Sequence, residues 1–234
     1  MAMSTILIIG ASSGIGAQLA SQLSIAGHQV IGTYHLHPVQ SDSTNISYHQ
    51  VNILDDAPDF SYIPEVLDGI VYCPGSISLK PFHRIKPQDF ASDYQLQVTG
   101  AIKAIQAALP ALKKGSNPSI VLFSTTAVQT GLNFHSMVSA SKGAIEGLTR
   151  ALAAEFAPSI RVNCIAPSLT DTPLAASLLN TPEKKEANAQ RHPLRRIGAA
   201  SDIASMAEFL LSEKSGWITG QVMHVDGGIS RLKV

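Results

Sequence analysis

Charge is scarce in this chain. Only 15% of its 234 residues are charged, the 17 basic and 17 acidic side chains cancel, and no basic run occurs anywhere. A protein that tracks nucleic-acid phosphates or clings to an acidic membrane needs such a run, so neither partner is expected. Cysteine is equally sparse. Cys73 and Cys164 sit inside the apolar runs "GIVYC" and "IRVNCIAP" with no metal-ligand spacing, which points to reduced core thiols. The histidines of "HLH" at 35–37 have no third ligand nearby in the sequence, so no metal site is expected. The opening "MAMSTILIIG" has no basic leader, and "TILIIG" meets a glycine before it reaches signal-core length. Cytoplasmic residence without membrane association is the expectation.

Apolar residues are plentiful at 45%, ample for a core and contrary to disorder. A low charge fraction at near-neutral balance also suits a chain that hides surface by self-association. Short β-branched runs at 5–10, 28–35, 46–53, 67–75, 117–125, 159–168 and 220–228 alternate with helical periodicity at 15–26, 87–112, 139–156, 173–190 and 201–212. A short crossover separates the third and fourth runs. Strands joined by helical crossovers specify an α/β fold with a parallel sheet covered on both faces. No linker, repeat or low-complexity segment interrupts 1–234, which reads as a single domain.

Two stretches carry chemistry. "IIGASSGIG" places Gly10, Gly14 and Gly16 between the first strand and its helix, where glycine permits a sharp turn and unpaired N–H groups face an anion. In "HSMVSASKGAIEGLTRALAAE", Val138, Ile145, Leu148, Leu152 and Phe156 form one apolar stripe, and Lys142 follows Val138 by one turn on the same face. A lysine beside a core stripe either snorkels past it or reaches for a ligand.

The glycine spacing, together with "LDGIVYCPG", "IRVNCIAPSLTDTP" and "HPLRRIGAASDIASMAEFLLSEKSGWITGQVMHVDGG", resembles the classical short-chain dehydrogenase/reductase family along essentially the whole chain. The resemblance implies a Rossmann-type doubly wound parallel β-sheet, a substrate lid within about 169–195, and NAD(P)(H) as cofactor. It carries Gly10, Ser12, Ser13, Gly14, Ile15 and Gly16 onto the phosphates. Tyr34 and His35 fall beside the adenosine ribose, and Asn52 and Ile53 beside the adenine. Cys73, Pro74 and Gly75 fall along the chain near the ribose, and Ile165, Pro167, Ser168 and Thr172 near the nicotinamide. Asn52 replaces an aspartate, Ser168 a glycine, and Tyr72, Cys73 and Pro74 an Asn-Asn-Ala. NAD-preferring relatives keep an acid at the end of the second strand that repels a 2′-phosphate. Tyr34 and His35, with His37 close by, offer none, which tilts the choice toward NADP(H), although Ser13 stands where NADP relatives often have arginine.

The same resemblance assigns a catalytic set. Lys142 takes the place of the ribose-binding lysine, Thr125 that of the carbonyl-polarising serine and Gln97 that of an asparagine. Val138 stands where the family keeps its proton-donating tyrosine, and an isopropyl group transfers no proton. Three readings follow. Another group supplies the proton, with His135 three residues upstream the first choice and Ser139 or Ser141 weaker. Alternatively, water fills the space of the phenol. Otherwise the protein binds a dinucleotide silently, as a sensor or partner subunit. Lys142 favours cofactor binding in every case, because a buried charge with no partner is costly. The expected substrate is a small carbonyl or alcohol, in a pocket bounded by 76–84, His135, Met137 and 169–195, with Lys80, His83, Arg84 and Arg191 as its cations. A homotetramer or dimer built on helices 87–112 and 139–156 is implied.

Overall fold

The computed structural model describes residues 3–41 and 43–233; the ends of the expected domain 1–234 and residue 42 lie outside the described residues. In chain order the elements are β1 Thr5–Ile9, α1 Gly14–Ile25, β2 Gln29–Tyr34, β3 Ile46–Gln50, β4 Gly69–Tyr72, α2 Pro87–Tyr94, α3 Gly100–Leu112, β5 Ser119–Phe123, α4 Ala127–Thr130, α5 Ser136–Phe156, β6 Arg161–Pro167, β7 Thr170–Asp171, α6 Pro182–Gln190, β8 Gly198–Ala199, α7 Ala200–Leu211 and β9 Val222–Val225. One parallel sheet runs in the order β3-β2-β1-β4-β5-β6-β9, and β7 pairs with β8 in a separate short ladder.

Alternation along β1 explains the layers. Ile6 and Ile8 join Leu19, Leu23, Ile203 and Leu210 of α1 and α7 on one face. Leu7 and Ile9 join Ala104, Ile105, Ala108 and Ile145 of α3 and α5 on the other. The chain builds outward from β1 to β3 and then returns to β4 on β1's other side. That reversal opens a crevice at the carboxyl ends of β1 and β4, where ligands of open α/β sheets bind. The short crossover from β3 to β4 contains no helix; Phe60, Tyr62 and Ile63 cover the core there, and His49 stacks on Tyr62 at 4.4 Å. Among the described residues, no helix is long and apolar enough to cross a membrane.

Two helices differ from the expected spans. The helix foreseen over 87–112 is broken by a π-helical turn, Gln95–Thr99, in which the Gly100 amide bonds the Gln95 carbonyl five residues back. The helix foreseen over 173–190 divides into a 3₁₀ stretch, Pro173–Leu178, and α6. Thr181 accepts a hydrogen bond from the Lys184 amide and Pro182 lacks an N–H, so a new helix starts where periodicity suggested continuation.

Candidate active site

The glycines after β1 are required by the backbone. Gly10 and Gly14 adopt φ of +79° and +55°, and a side chain on Gly16 would collide with the Gly10 carbonyl. Ser13 caps α1 in an extended conformation without using its hydroxyl, and the Gly10 amide is held 2.9 Å from the Thr33 hydroxyl. The helix start therefore offers free N–H groups and a free hydroxyl to an anion, an arrangement that fits the pyrophosphate of a dinucleotide.

Beside this loop opens a cavity of about 1030 Å³. It is lined by Ile15, Cys73, Gly75, Gln97, Thr125, His135, Val138, Lys142, Pro167, Ser168 and Thr172. The structure thus gathers the catalytic candidates and the nicotinamide-side candidates around one space. Gly10, Ser12, Ser13, Gly14, Gly16, Tyr34, His35, Asn52, Ile53 and Pro74 lie outside its lining, at the carboxyl ends of β1 to β4, on the loops that follow them or in the first turn of α1. Thr172 packs against Gly14 and joins the start of the 169–195 segment to the glycine loop. Of the expected pocket walls, Ser76, Ile77, Leu79 and Arg191 line the cavity, whereas Lys80, His83, Arg84 and Met137 do not. Ile165 is wholly buried in the core. Asn52 serves its own turn: its side-chain oxygen accepts from the Leu54 amide at 3.2 Å, and its amide donates to Asp55 at 2.6 Å.

Lys142 is 9% exposed, and among the described residues its ammonium has no hydrogen-bond or ion-pair partner. Burial draws its pKa down to about 8, opposed by Cys164, Asp93 and Cys73 around it. A Cβ placed on Gly75 would lie 3.8 Å from Lys142 Nζ and 3.6 Å from Gln97 Oε1, so both polar atoms face the gap that this glycine leaves. Gln97 Oε1 is itself buried without a partner. A ligand bringing hydroxyls to that gap would satisfy both groups, and the ribose of a dinucleotide has them. Burial pushes the Cys73 and Cys164 thiols up to about 12, and both are free cysteines.

The strand end of β5 sorts its hydroxyls by face. Thr125 lines the cavity and accepts from the Ala127 amide at 3.3 Å, while Ser124 turns away to donate to Glu146 at 2.7 Å. Ser141 also turns away, donating to Asp93 at 2.6 Å. Tyr72 supplies no replacement phenol: it donates to the Leu96 carbonyl at 2.5 Å, and burial raises its pKa. Its hydroxyl fills the space where a side chain on Gly100 would stand. His135 precedes α5 at the cavity wall, with Nδ1 2.7 Å from the Asn133 carbonyl.

Two features escaped sequence reasoning. Asp93, 5% exposed, accepts from Gln97 Nε2 at 2.8 and 2.9 Å and from the hydroxyls of Ser141 and Ser76. His192, 3% exposed, lies with Nε2 2.9 Å from Ser168 Oγ and Nδ1 2.8 Å from the Asn188 carbonyl. The one sequence signal for the second was the serine directly after Pro167.

Comparison with known proteins agrees with this geometry. The family described as Enoyl-(Acyl carrier protein) reductase matches residues 61–230. A tropinone reductase homologue of Arabidopsis thaliana is 30% identical over 96% of this chain and 92% of its own length. The ligand-free aldohexose dehydrogenase of Thermoplasma acidophilum superposes with a TM-score of 0.91 at 25% identity, over 99% of this chain and 96% of that one. The structure of ElxO with NADP bound superposes with a TM-score of 0.85 at 26% identity, over 97% and 99%.

Proposed function

Because this chain belongs to the short-chain dehydrogenase/reductase family, we propose that it is an NAD(P)(H)-dependent oxidoreductase acting on a small carbonyl or alcohol. The observation that carries the proposal is the Lys142 ammonium, buried and without a hydrogen-bond partner among the described residues, beside the unpartnered Gln97 oxygen at the gap left by Gly75. A bound nicotinamide would supply or accept the hydride. Lys142 and Gln97 hold the ribose hydroxyls, and Ser12, Ser13 and the first amides of α1 hold the pyrophosphate. Thr125 donates its hydroxyl to the substrate oxygen, where charge develops during the reaction. The segment 169–195 closes over the substrate. NADP(H) is the preferred cofactor, because Tyr34 and His35 end β2 without an acid to repel a 2′-phosphate. The protein works as a homotetramer or dimer.

Val138 is the departure. It is buried at the cavity wall one turn before Lys142, and it brings no proton. Proton delivery falls to another group of the lining, and His135 is the group that the sequence singles out. The same residue favours a second reading, a catalytically silent dinucleotide-binding protein acting as sensor or partner subunit. Nicotinamide fluorescence titration with NADPH and NADH tests the shared premise, and absence of binding sinks both readings. A panel of ketones and alcohols then separates them. The oxidoreductase turns over as wild type, whereas the silent protein gains activity only as Val138→Tyr.

A further inference from the structure

The wall of the cavity on the β6 side carries a pair, Ser168 and His192; the family resemblance puts Ser168 near the nicotinamide but assigns neither His192 nor the contact between them. Ser168 and His192, with Leu169 and Thr170 beside them, line both the large cavity and a second recess of about 110 Å³, so these residues part the two spaces. Arg196, Asp202 and Asp226 stand in the walls of the recess among the apolar side chains of Leu169, Leu194, Ile203 and Val225. Ser168 is fixed by its backbone: its amide bonds the Val225 carbonyl and its carbonyl accepts from the Thr170 hydroxyl. The carbonyl of the preceding residue, Pro167, accepts from the Thr126 amide, which sets Ser168 at the strand end adjoining Thr125.

His192 is held just as firmly. A carbonyl oxygen only accepts, so the 2.8 Å contact with Asn188 places a proton on Nδ1. Nε2 of the neutral ring is then the acceptor for the Ser168 hydroxyl at 2.9 Å. His192 shares the recess lining with Arg196, Asp202 and Asp226, and the cavity lining with His135, Lys142, Lys184 and Arg191. Arg196 and Asp202 are paired with each other. A hydroxyl opening on a reaction cavity, bonded to a buried imidazole of fixed tautomer, is an arrangement for moving protons.

We infer that Ser168, supplied by His192, delivers the proton that residue 138 cannot. The inference rests on the oxidoreductase reading. In the reducing direction the Ser168 O–H bond breaks as its proton passes to the substrate oxygen. Oγ takes a proton from Nε2 of the His192 imidazolium, which becomes neutral imidazole. A bound nicotinamide would supply the hydride that completes the reduction and would itself be oxidised. In the oxidising direction each transfer reverses, and neutral His192 receives the proton. Solvent restores the protonation state through the recess.

The test combines kinetics with a measurement on the free protein. In Ser168→Ala and His192→Gln, kcat for carbonyl reduction falls by about 10²-fold or more, within the range of general acid catalysis, while NADPH affinity of His192→Gln stays at the wild-type value. In His192→Gly, added imidazole restores part of the rate, which loss of a purely structural histidine would not allow. In the nitrogen NMR spectrum of the cofactor-free protein, His192 shows the Nδ1–H tautomer when neutral, and its signals move in Ser168→Ala. Wild-type kcat in both variants overturns this pair and leaves the oxidoreductase reading standing, as does a loss confined to His135→Ala. A His192 that stays neutral throughout the pH range of turnover also overturns it. A wild type that binds NADPH and converts nothing overturns the pair and the oxidoreductase reading together.

Discussion

The two halves of the sheet's carboxyl edge treat their polar groups differently. Around β1, β2 and β3 those groups are satisfied locally or open to solvent: Asn52 closes its own turn, the Gly10 amide rests on Thr33, and Tyr34 and His35 stand at the surface or half-buried. Around β4, β5 and α5 they are buried, and Lys142 and Gln97 Oε1 lack partners. The outer half leans more on solvent and on its own turns, although the Tyr62 hydroxyl, stacked beside His49 of β3, is also buried without a partner. The inner half keeps desolvated donors and acceptors whose cost only a ligand offsets. Glycine joins the two halves, since Gly14 supports Thr172 and Gly75 opens the gap before Lys142.

Substitutions along this edge break or sharpen the contrast. The largest effect is expected at Gly16, where a methyl group must displace the Gly10 carbonyl. Gly16→Ala destabilises the fold by about 3 kcal/mol, read from the denaturant midpoint, and abolishes nucleotide binding with it. Lys142→Met should separate those two quantities. The folded pKa of Lys142, about 8, lies below its ordinary 10.5, so the folded state holds fewer protons between these values and stability rises with pH across that window. Below about pH 8 the penalty of the buried ammonium is present in full, ~3 kcal/mol from the size of the shift. Lys142→Met therefore stabilises the free protein at neutral pH while weakening NADPH binding by about tenfold or more. If it weakens both together, the inner half is not waiting for a ligand.

A related effect concerns wild type alone. If Lys142 holds the ribose as proposed, the ribose oxygens would stabilise its ammonium, so at pH 8–10 binding would draw a proton onto Lys142. Titration calorimetry in buffers of different ionisation enthalpy detects that uptake, and affinity declines as pH rises through this range. The smallest effect is expected in the outer half. Asn52→Ala removes a turn that costs about 1 kcal/mol or less to lose, and leaves NADPH affinity within about fivefold of wild type. A larger loss there than at Lys142 would invert the comparison.

Legibility in the sequence follows the same division. The strands, the glycine loop and the first and last turns of the long helices are governed by neighbours in sequence, so period and turn chemistry reveal them. Val138 and Lys142 share a face because they are four residues apart on one helix, and a sequence displays that directly. Thr125 and Gln97 could be placed only by registering the chain on a family. Asp93 and His192 gave no such handle: the first is bonded from 17 residues before it and 48 after, the second across 24. Their meaning lies in contacts between elements. The π-helical turn was hidden for a related reason, since a single wider turn inside a helix has no residue signature of its own.

Tyr72 and Gly100 record something about how this sequence could have arisen. The phenol of one occupies the volume in which the other would carry a side chain. A mutation at position 100 to any larger residue is opposed while Tyr72 remains, and exchanging that ring for a shorter group removes the tighter of two obstructions, leaving Ile53 Cγ1 at 2.9 Å. The order of substitutions at these two sites is therefore constrained, and related sequences should vary there jointly.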